Sequence, residues 1–200
     1  MGAYAQITES NPGLNCTDIG VYETGQTVRE LLASTGGHYV EVGWAKLWCA
    51  AGSACQRAFY EHQVGFHTDY QTSHQFSCLN PGTRSAWQMY WNTASYWEGD
   101  LQCYSSGSWY LVDYHYDPTQ SGYSDNEGFD LPDANGVANN MAETHQSLMW
   151  LDTGYVWHAT SGSIYPDGVG CRLQKGSYWR GNWLSGGNSF NIVSSGGEPC

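Results

Sequence analysis

His38-Tyr39-Val40-Glu41-Val42-Gly43-Trp44-Ala45 and, beyond a short loop, Arg57-Ala58-Phe59-Tyr60-Glu61-His62-Gln63-Val64 decide how this chain folds. In both runs apolar or aromatic side chains recur at every second position, the period of a β-strand with two distinct faces. β-branched and aromatic residues dominate, as a pleated and half-buried surface requires. The two runs therefore read as adjacent antiparallel strands. Cys49 and Cys55 flank the intervening Ala50-Ala51-Gly52-Ser53-Ala54, which suggests a disulfide clasp across a hairpin.

Further strands are expected over residues 85–95, 100–104, 109–116, 155–160 and 188–194. Gly, Asn, Asp, Pro and Ser turns separate them. Such a succession argues for an all-β protein of two packed antiparallel sheets. One segment reads as helix: Thr27-Val28-Arg29-Glu30-Leu31-Leu32 has the capping-box pattern, and Gly36-Gly37 stand as its stop. Residues 136–150 stay open. Ala138, Met141, Ala142, His145, Leu148 and Met149 fit a helical stripe, whereas Met141, Glu143 and His145 alternate as on a strand.

The chain has 200 residues, the size of a single domain spanning 1–200, with residues 1–35 expected as an N-terminal segment carrying the short helix packed on the sandwich. Seven Lys and Arg against nineteen Asp and Glu leave a formal charge of −12, which makes nucleic acid and anionic membrane surfaces poor partners. Ten Trp and fifteen Tyr demand burial and exclude a disordered chain.

Seven cysteines without a CxxC pair read as disulfides formed in an oxidising compartment, so secretion is expected. Cys78 with Cys103 and Cys171 with Cys200 are the further pairings, which leaves Cys16 free or bonded to another chain. The amino terminus has neither a basic nor an apolar run, consistent with a mature form whose signal peptide has been removed. No segment approaches the ~20 apolar residues of a helical membrane span.

No GxSxG, HExxH, P-loop or strand-linked GxGxxG occurs, so the usual marks of serine hydrolases, zincins and nucleotide binders are missing. The informative groups are Glu41 and Glu61, each set inside an aromatic strand where desolvating a carboxylate is expensive. Either each points to solvent from the outer face of a half-exposed sheet, or such an acid is one of a pair that share a proton inside a cleft.

Tyr39-Val40-Glu41-Val42-Gly43-Trp44, then Ala58-Phe59-Tyr60-Glu61-His62, then Asn140-Met141-Ala142-Glu143-Thr144 resemble, in order, the motifs of glutamic peptidases of the eqolisin and neprosin branches. That resemblance implies a two-sheet, concanavalin-like jelly roll acting on polypeptide substrates. It places Glu41 at the first catalytic position, Glu143 at the second and Glu61 at the supporting Glu of the neighbouring strand. It implies no cofactor. In such a dyad one ionised acid activates a water that attacks the peptide carbonyl, while the protonated one polarises that carbonyl and assists the leaving amine. Tyr39, Trp44, Phe59 and Tyr60 would line or support the cleft, although aromatic residues in such strands read first as core packing.

Two other functions fit the same architecture. Trp87, Trp91, Trp97, Trp109, Tyr114 and Tyr116 offer aromatic faces for stacking on glycan rings, and the odd cysteine suits a noncatalytic member of an extracellular assembly. His62, His67, His74, His115, His145 and His158 show no i, i+2 or i, i+4 ligand spacing, so no transition metal is expected. Residues 125–136 read as a solvated, turn-rich acidic loop, with a calcium site as the alternative. Asn15-Cys16-Thr17 matches a glycosylation sequon.

Overall fold

The structure is a computed structural model that describes residues 1–8, 13–14, 24–31, 38–50, 53–65, 67–80, 82–119, 124–130, 138–139, 142–160, 179–183 and 189–194. Side chains are described for 1–8, 38–45, 57–65, 67–80, 82–119, 144–160 and 189. Every regular element among them is a strand. In chain order these are β1 (Gly2–Thr8), β2 (Gly13–Leu14), β3 (Thr24–Leu31), β4 (Tyr39–Ala50), β5 (Ser53–Val64), β6 (His67–His74), β7 (Arg84–Trp91) and β8 (Tyr96–Cys103). They continue with β9 (Trp109–Tyr116), β10 (Ser124–Asp130), β11 (Ala138–Asn139), β12 (Ala142–Leu151), β13 (Trp157–Ala159), β14 (Trp179–Trp183) and β15 (Ser189–Ser194). No helix among the described residues is long and apolar enough to cross a membrane.

An eight-stranded sheet runs β14-β15-β12-β1-β7-β8-β9, with β13 paired to β12, and a five-stranded sheet runs β10-β3-β4-β5-β6. All pairings are antiparallel. One core lies between the sheets: Val40, Val42, Trp44, Ala58 and Tyr60 of the five-stranded sheet meet Ala3, Ala5, Ile7, Trp87, Met89, Trp97 and Leu101 of the other. Gly99 lies where the two layers approach closely. A Cβ there would come within 2.7 Å of the Tyr60 ring and 3.0 Å of Val42, so the bare backbone of β8 is what lets the layers meet.

The expected helix at 27–32 is a strand. β3 pairs with β4 on one side, Arg29 opposite Glu41, and with β10 on the other, Arg29 opposite Asn126, so its backbone groups are satisfied by two neighbours. That pairing outweighs a capping signal worth about 1 kcal/mol. β10 likewise corrects the loop reading of the acidic segment: its first half, Ser124–Asp130, is a strand, and residues 131–137 lie outside the described set.

The segment at 136–150 resolves as strand, and its mixed pattern has a cause. Tyr4 pairs with Met149 but Gln6 with Gln146, so β12 carries an extra residue there, and Ser147 takes a positive φ of 56°. The bulge puts His145 and Leu148, three apart, both in the interior, which imitates a helical spacing. Within the N-terminal segment, β1 is an interior strand of the larger sheet, between β12 and β7. Ala3 and Ala5 hide it from a propensity reading, since small residues stand there beside the larger Met89 and Trp87 with which they pair.

Cys78 and Cys103 form the expected disulfide, tying the chain just after β6 to the end of β8 and so one sheet to the other. The bond closes a separation of 25 residues. Replacing both cysteines by Ala is expected to cost about 3 kcal/mol by chain entropy. Urea unfolding at neutral pH measures this, and an unchanged midpoint would refute a stabilising role. The side chains of Cys49 and Cys55, and all of Cys16, Cys171, Cys200 and the Asn15 sequon, lie outside the described residues.

Candidate active site

The β4–β5 hairpin brings two of the nominated acids together. Glu41 and Glu61 are direct cross-strand partners, Val42 pairs with Tyr60 and Gly43 with Phe59. Because Val40, Val42, Trp44, Ala58 and Tyr60 belong to the core, strand alternation puts Glu41 and Glu61 on the opposite face of the five-stranded sheet. Both are nevertheless buried there, with Glu41 only 4% and Glu61 8% exposed. Of the two sequence readings, solvated surface acids are therefore excluded.

Like charges placed directly opposite across a strand pair destabilise it, so the pair needs compensation. Glu61 receives it: the Thr68 hydroxyl donates to its Oε1 at 2.8 Å, and the Gln63 side-chain amide donates to the same oxygen. A bulge positions the first donor. His62 pairs with Tyr70 but Gln63 with Thr68, so Asp69 is the extra residue of β6. The register row through the pair continues to Arg29 on β3 and Gln71 on β6.

The supporting aromatics divide between the two faces. Phe59 packs with Ala45, and half-buried Tyr39 lies in the same alternation as Glu41. Trp44 and Tyr60 lie wholly in the core, where the Tyr60 hydroxyl donates to the carbonyl of Trp97 at 3.0 Å. Those two support the acid strands from beneath and line no cleft. Glu143 stands on β12 opposite Ile192, in the eight-stranded sheet, so the structure brings Glu41 to Glu61 and sets Glu143 in the other layer.

Of the six aromatics nominated for glycan stacking, Trp87 and Trp97 are fully buried and Trp91 packs partly buried against the core. Trp109, Tyr114 and Tyr116 are exposed on β9, the last strand of its sheet.

The sequence reading missed a polar seam where β6 and β9 close the sandwich. The hydroxyls of Tyr70 and Thr72 donate to Asp113 at 3.0 and 2.6 Å. Burial pushes the Asp113 carboxyl up, but the Thr72 hydroxyl, the Tyr114 amide, Tyr70 and His74 together hold it below the usual carboxylate range. Asp117 behaves alike. Burial raises it, and hydrogen bonds from His62, Thr119 and His38 outweigh that and bring it to about 2. One signal was legible: Asp113 and His115 alternate along the 109–116 run and Asp117 follows at the same spacing just past its end, a carboxylate–imidazole pattern that His–His intervals do not contain.

No protein-family model matches this chain, and no curated protein sequence matches it. Among solved structures it superposes on aspergilloglutamic peptidase from Aspergillus niger with a TM-score of 0.58 at 12% identity, over 86% of this chain and 99% of that one. The fold is that of the glutamic peptidases. Scytalido-glutamic peptidase with a peptide-based transition-state analog aligns at TM-score 0.57 and 10% identity, over 96% of this chain and 91% of that chain. A second complex of the same peptidase, with a transition-state analog inhibitor, gives 0.58 and 10%. At such identities the glutamic-peptidase likeness concerns the arrangement of strands, and the chemistry has to be argued from the acids themselves.

Proposed function

We propose that this protein is a secreted endopeptidase of the glutamic type, active in acid, with Glu41 as the group that activates water. The observation that carries the reading is the buried Glu41–Glu61 pair, two carboxylic acids on directly paired strands of a glutamic-peptidase fold. A buried acid pair is a poor way to build a sheet and a good way to build a general acid–base site. In the proposed scheme Glu41, ionised, takes a proton from water as it attacks the peptide carbonyl. A protonated carboxyl polarises that carbonyl and protonates the leaving amine. Glu61, held through its Oε1 by Thr68 and Gln63, is the acid that geometry sets beside Glu41. Glu143 is the second acid that the motif resemblance nominates. The substrate is an extended or unfolded polypeptide.

The test is cleavage of a mixture of unfolded proteins from about pH 2.5 to about pH 8, because the two protonation states define the working range. Activity is expected only in acid. Glu41→Gln should lower kcat/KM by at least about 100-fold, the ordinary worth of a general base. Loss in Glu143→Gln with only a modest effect of Glu61→Gln assigns the second role to Glu143, and the reverse assigns it to Glu61. Full activity in Glu41→Gln, or no cleavage at any pH by folded, disulfide-intact protein, overturns the proposal. The second of these outcomes favours a noncatalytic module using exposed Trp109, Tyr114 and Tyr116.

A further inference from the structure

We propose that His38, His62 and Asp117 bind a divalent transition metal ion, with Zn²⁺ the best match to the donor set. The inference is independent of the peptidase reading and uses none of its acids. One ligand atom from each of the three side chains lies within 4.8 Å of the other two. Both ring nitrogens meet the same carboxylate oxygen, His38 at 2.9 Å and His62 at 3.0 Å. Tetrahedral zinc with bonds of about 2.0–2.1 Å separates its ligand atoms by roughly 3.3 Å, so each His–Asp117 separation needs to open by only a few tenths of an ångström to admit the ion.

The surroundings are those that hold a metal-binding imidazole in place. Nδ1 of His62 lies 3.2 Å from Oδ2 of Asp69, and the same carboxylate oxygen is 3.1 Å from Nε2 of His115. With an ion bound, the carboxylate on the far nitrogen would hold the proton at Nδ1 and fix the ring's orientation, so that Nε2 exchanges its hydrogen bond to Asp117 for a bond to the metal. The other oxygen of Asp117, Oδ1, accepts the Thr119 amide at 2.7 Å, which fixes that carboxylate as well. The β6 bulge is what delivers Asp69 to His62. His62, Asp69 and His115 form a second triad sharing the same ring, but Asp69 is half exposed while the side chains of His62 and Asp117 are buried. The buried triad is therefore the metal site, and the second is its support.

His38, with its side chain 23% exposed, is the wet side of the cluster. Three protein ligands leave a fourth position for water or a ligand entering there. His38 precedes β4 and His62 lies on β5, whereas Asp117 follows β9 in the other sheet. A bound ion would thus join the two layers at the end of the polar seam and raise the stability of the fold.

Zn²⁺ is titrated into the dialysed full chain, disulfides intact, against a chromophoric chelator, with Co²⁺ absorption reporting the geometry. One ion per chain is expected, with a tetrahedral Co²⁺ spectrum and a rise in Tm. His38→Gln, on the exposed side and least disturbing to the core, should weaken binding at least about 100-fold and abolish the Tm rise, as should Asp117→Asn. Asp69→Asn should weaken binding about 10–100-fold, as supporting partners of ligand histidines do. His74→Gln, on a half-exposed histidine outside the triad, should change nothing. Absence of stoichiometric binding by the folded wild type, or equal weakening by His38→Gln and His74→Gln, overturns the proposal.

Discussion

His145→Gln is expected to flatten the fall in stability that the wild type shows between about pH 6.5 and about pH 4. His145 is completely buried on β12, paired with Ile7 of β1, and burial pushes its imidazole down from 6.5 to about 3. The unfolded chain carries an ordinary histidine that takes up a proton near pH 6.5. Between the two values the unfolded state binds a proton that the folded state refuses, so stability is full above pH 6.5 and falls as the pH falls toward 3. The loss is about 1.4 kcal/mol per pH unit, or about 5 kcal/mol over the whole interval. Urea unfolding at a series of pH values should show this slope in the wild type and a flatter one in the variant. His145→Leu serves as a second replacement should Gln pack poorly, and equal slopes in all three proteins would refute the assignment. For an enzyme working in acid the consequence is direct: as the proposed acid pair gains its working proton, the fold is losing part of its stability.

Trp97→Ala should be the most damaging single truncation among the nominated aromatics. Trp97 is fully buried on β8, paired with Trp91 and His115, and its indole N–H donates to the carbonyl of Thr119 at 2.9 Å. Removing a buried indole leaves a cavity and an orphaned acceptor, at a cost of about 4 kcal/mol or somewhat more. Trp109→Ala and Tyr116→Ala, at residues 42% and 57% exposed, should each cost less than about 1 kcal/mol. Denaturant unfolding of the three variants separates structural aromatics from surface ones. A Trp97→Ala protein within about 1 kcal/mol of wild type would show that Trp97 is no part of the core.

Much of the candidate site was legible one strand at a time. Glu41 and Glu61 stood out because a carboxylate inside an aromatic run of period two requires a reason, and both prove to be buried. Their pairing was not legible, because register is set by hydrogen bonding between strands and alternation fixes only which residues share a face. Trp44 and Tyr60 illustrate the same limit: they alternate with the acids, and only the presence of the second sheet decides that their side of the strands is the interior. The His62 cluster was invisible, since its members are drawn from four separated stretches and a bulge aims one of them.

The sequence by itself determined the all-β character, the β4–β5 hairpin and the limits of β9. Each rests on local information, either the two-residue period or the spacing of turn residues, whereas the pairing of Cys78 with Cys103 was one of several that the cysteine spacing allowed and needed the fold to select it. Tertiary structure decided that Thr24–Leu31 is a strand, that β1 lies inside a sheet, and that Glu41 meets Glu61 while Glu143 stands in the facing layer. The reason is physical. A capping box expresses a preference of about 1 kcal/mol, whereas a segment flanked by two strands satisfies its backbone groups on both sides, and that larger sum exists only once the partners are in place.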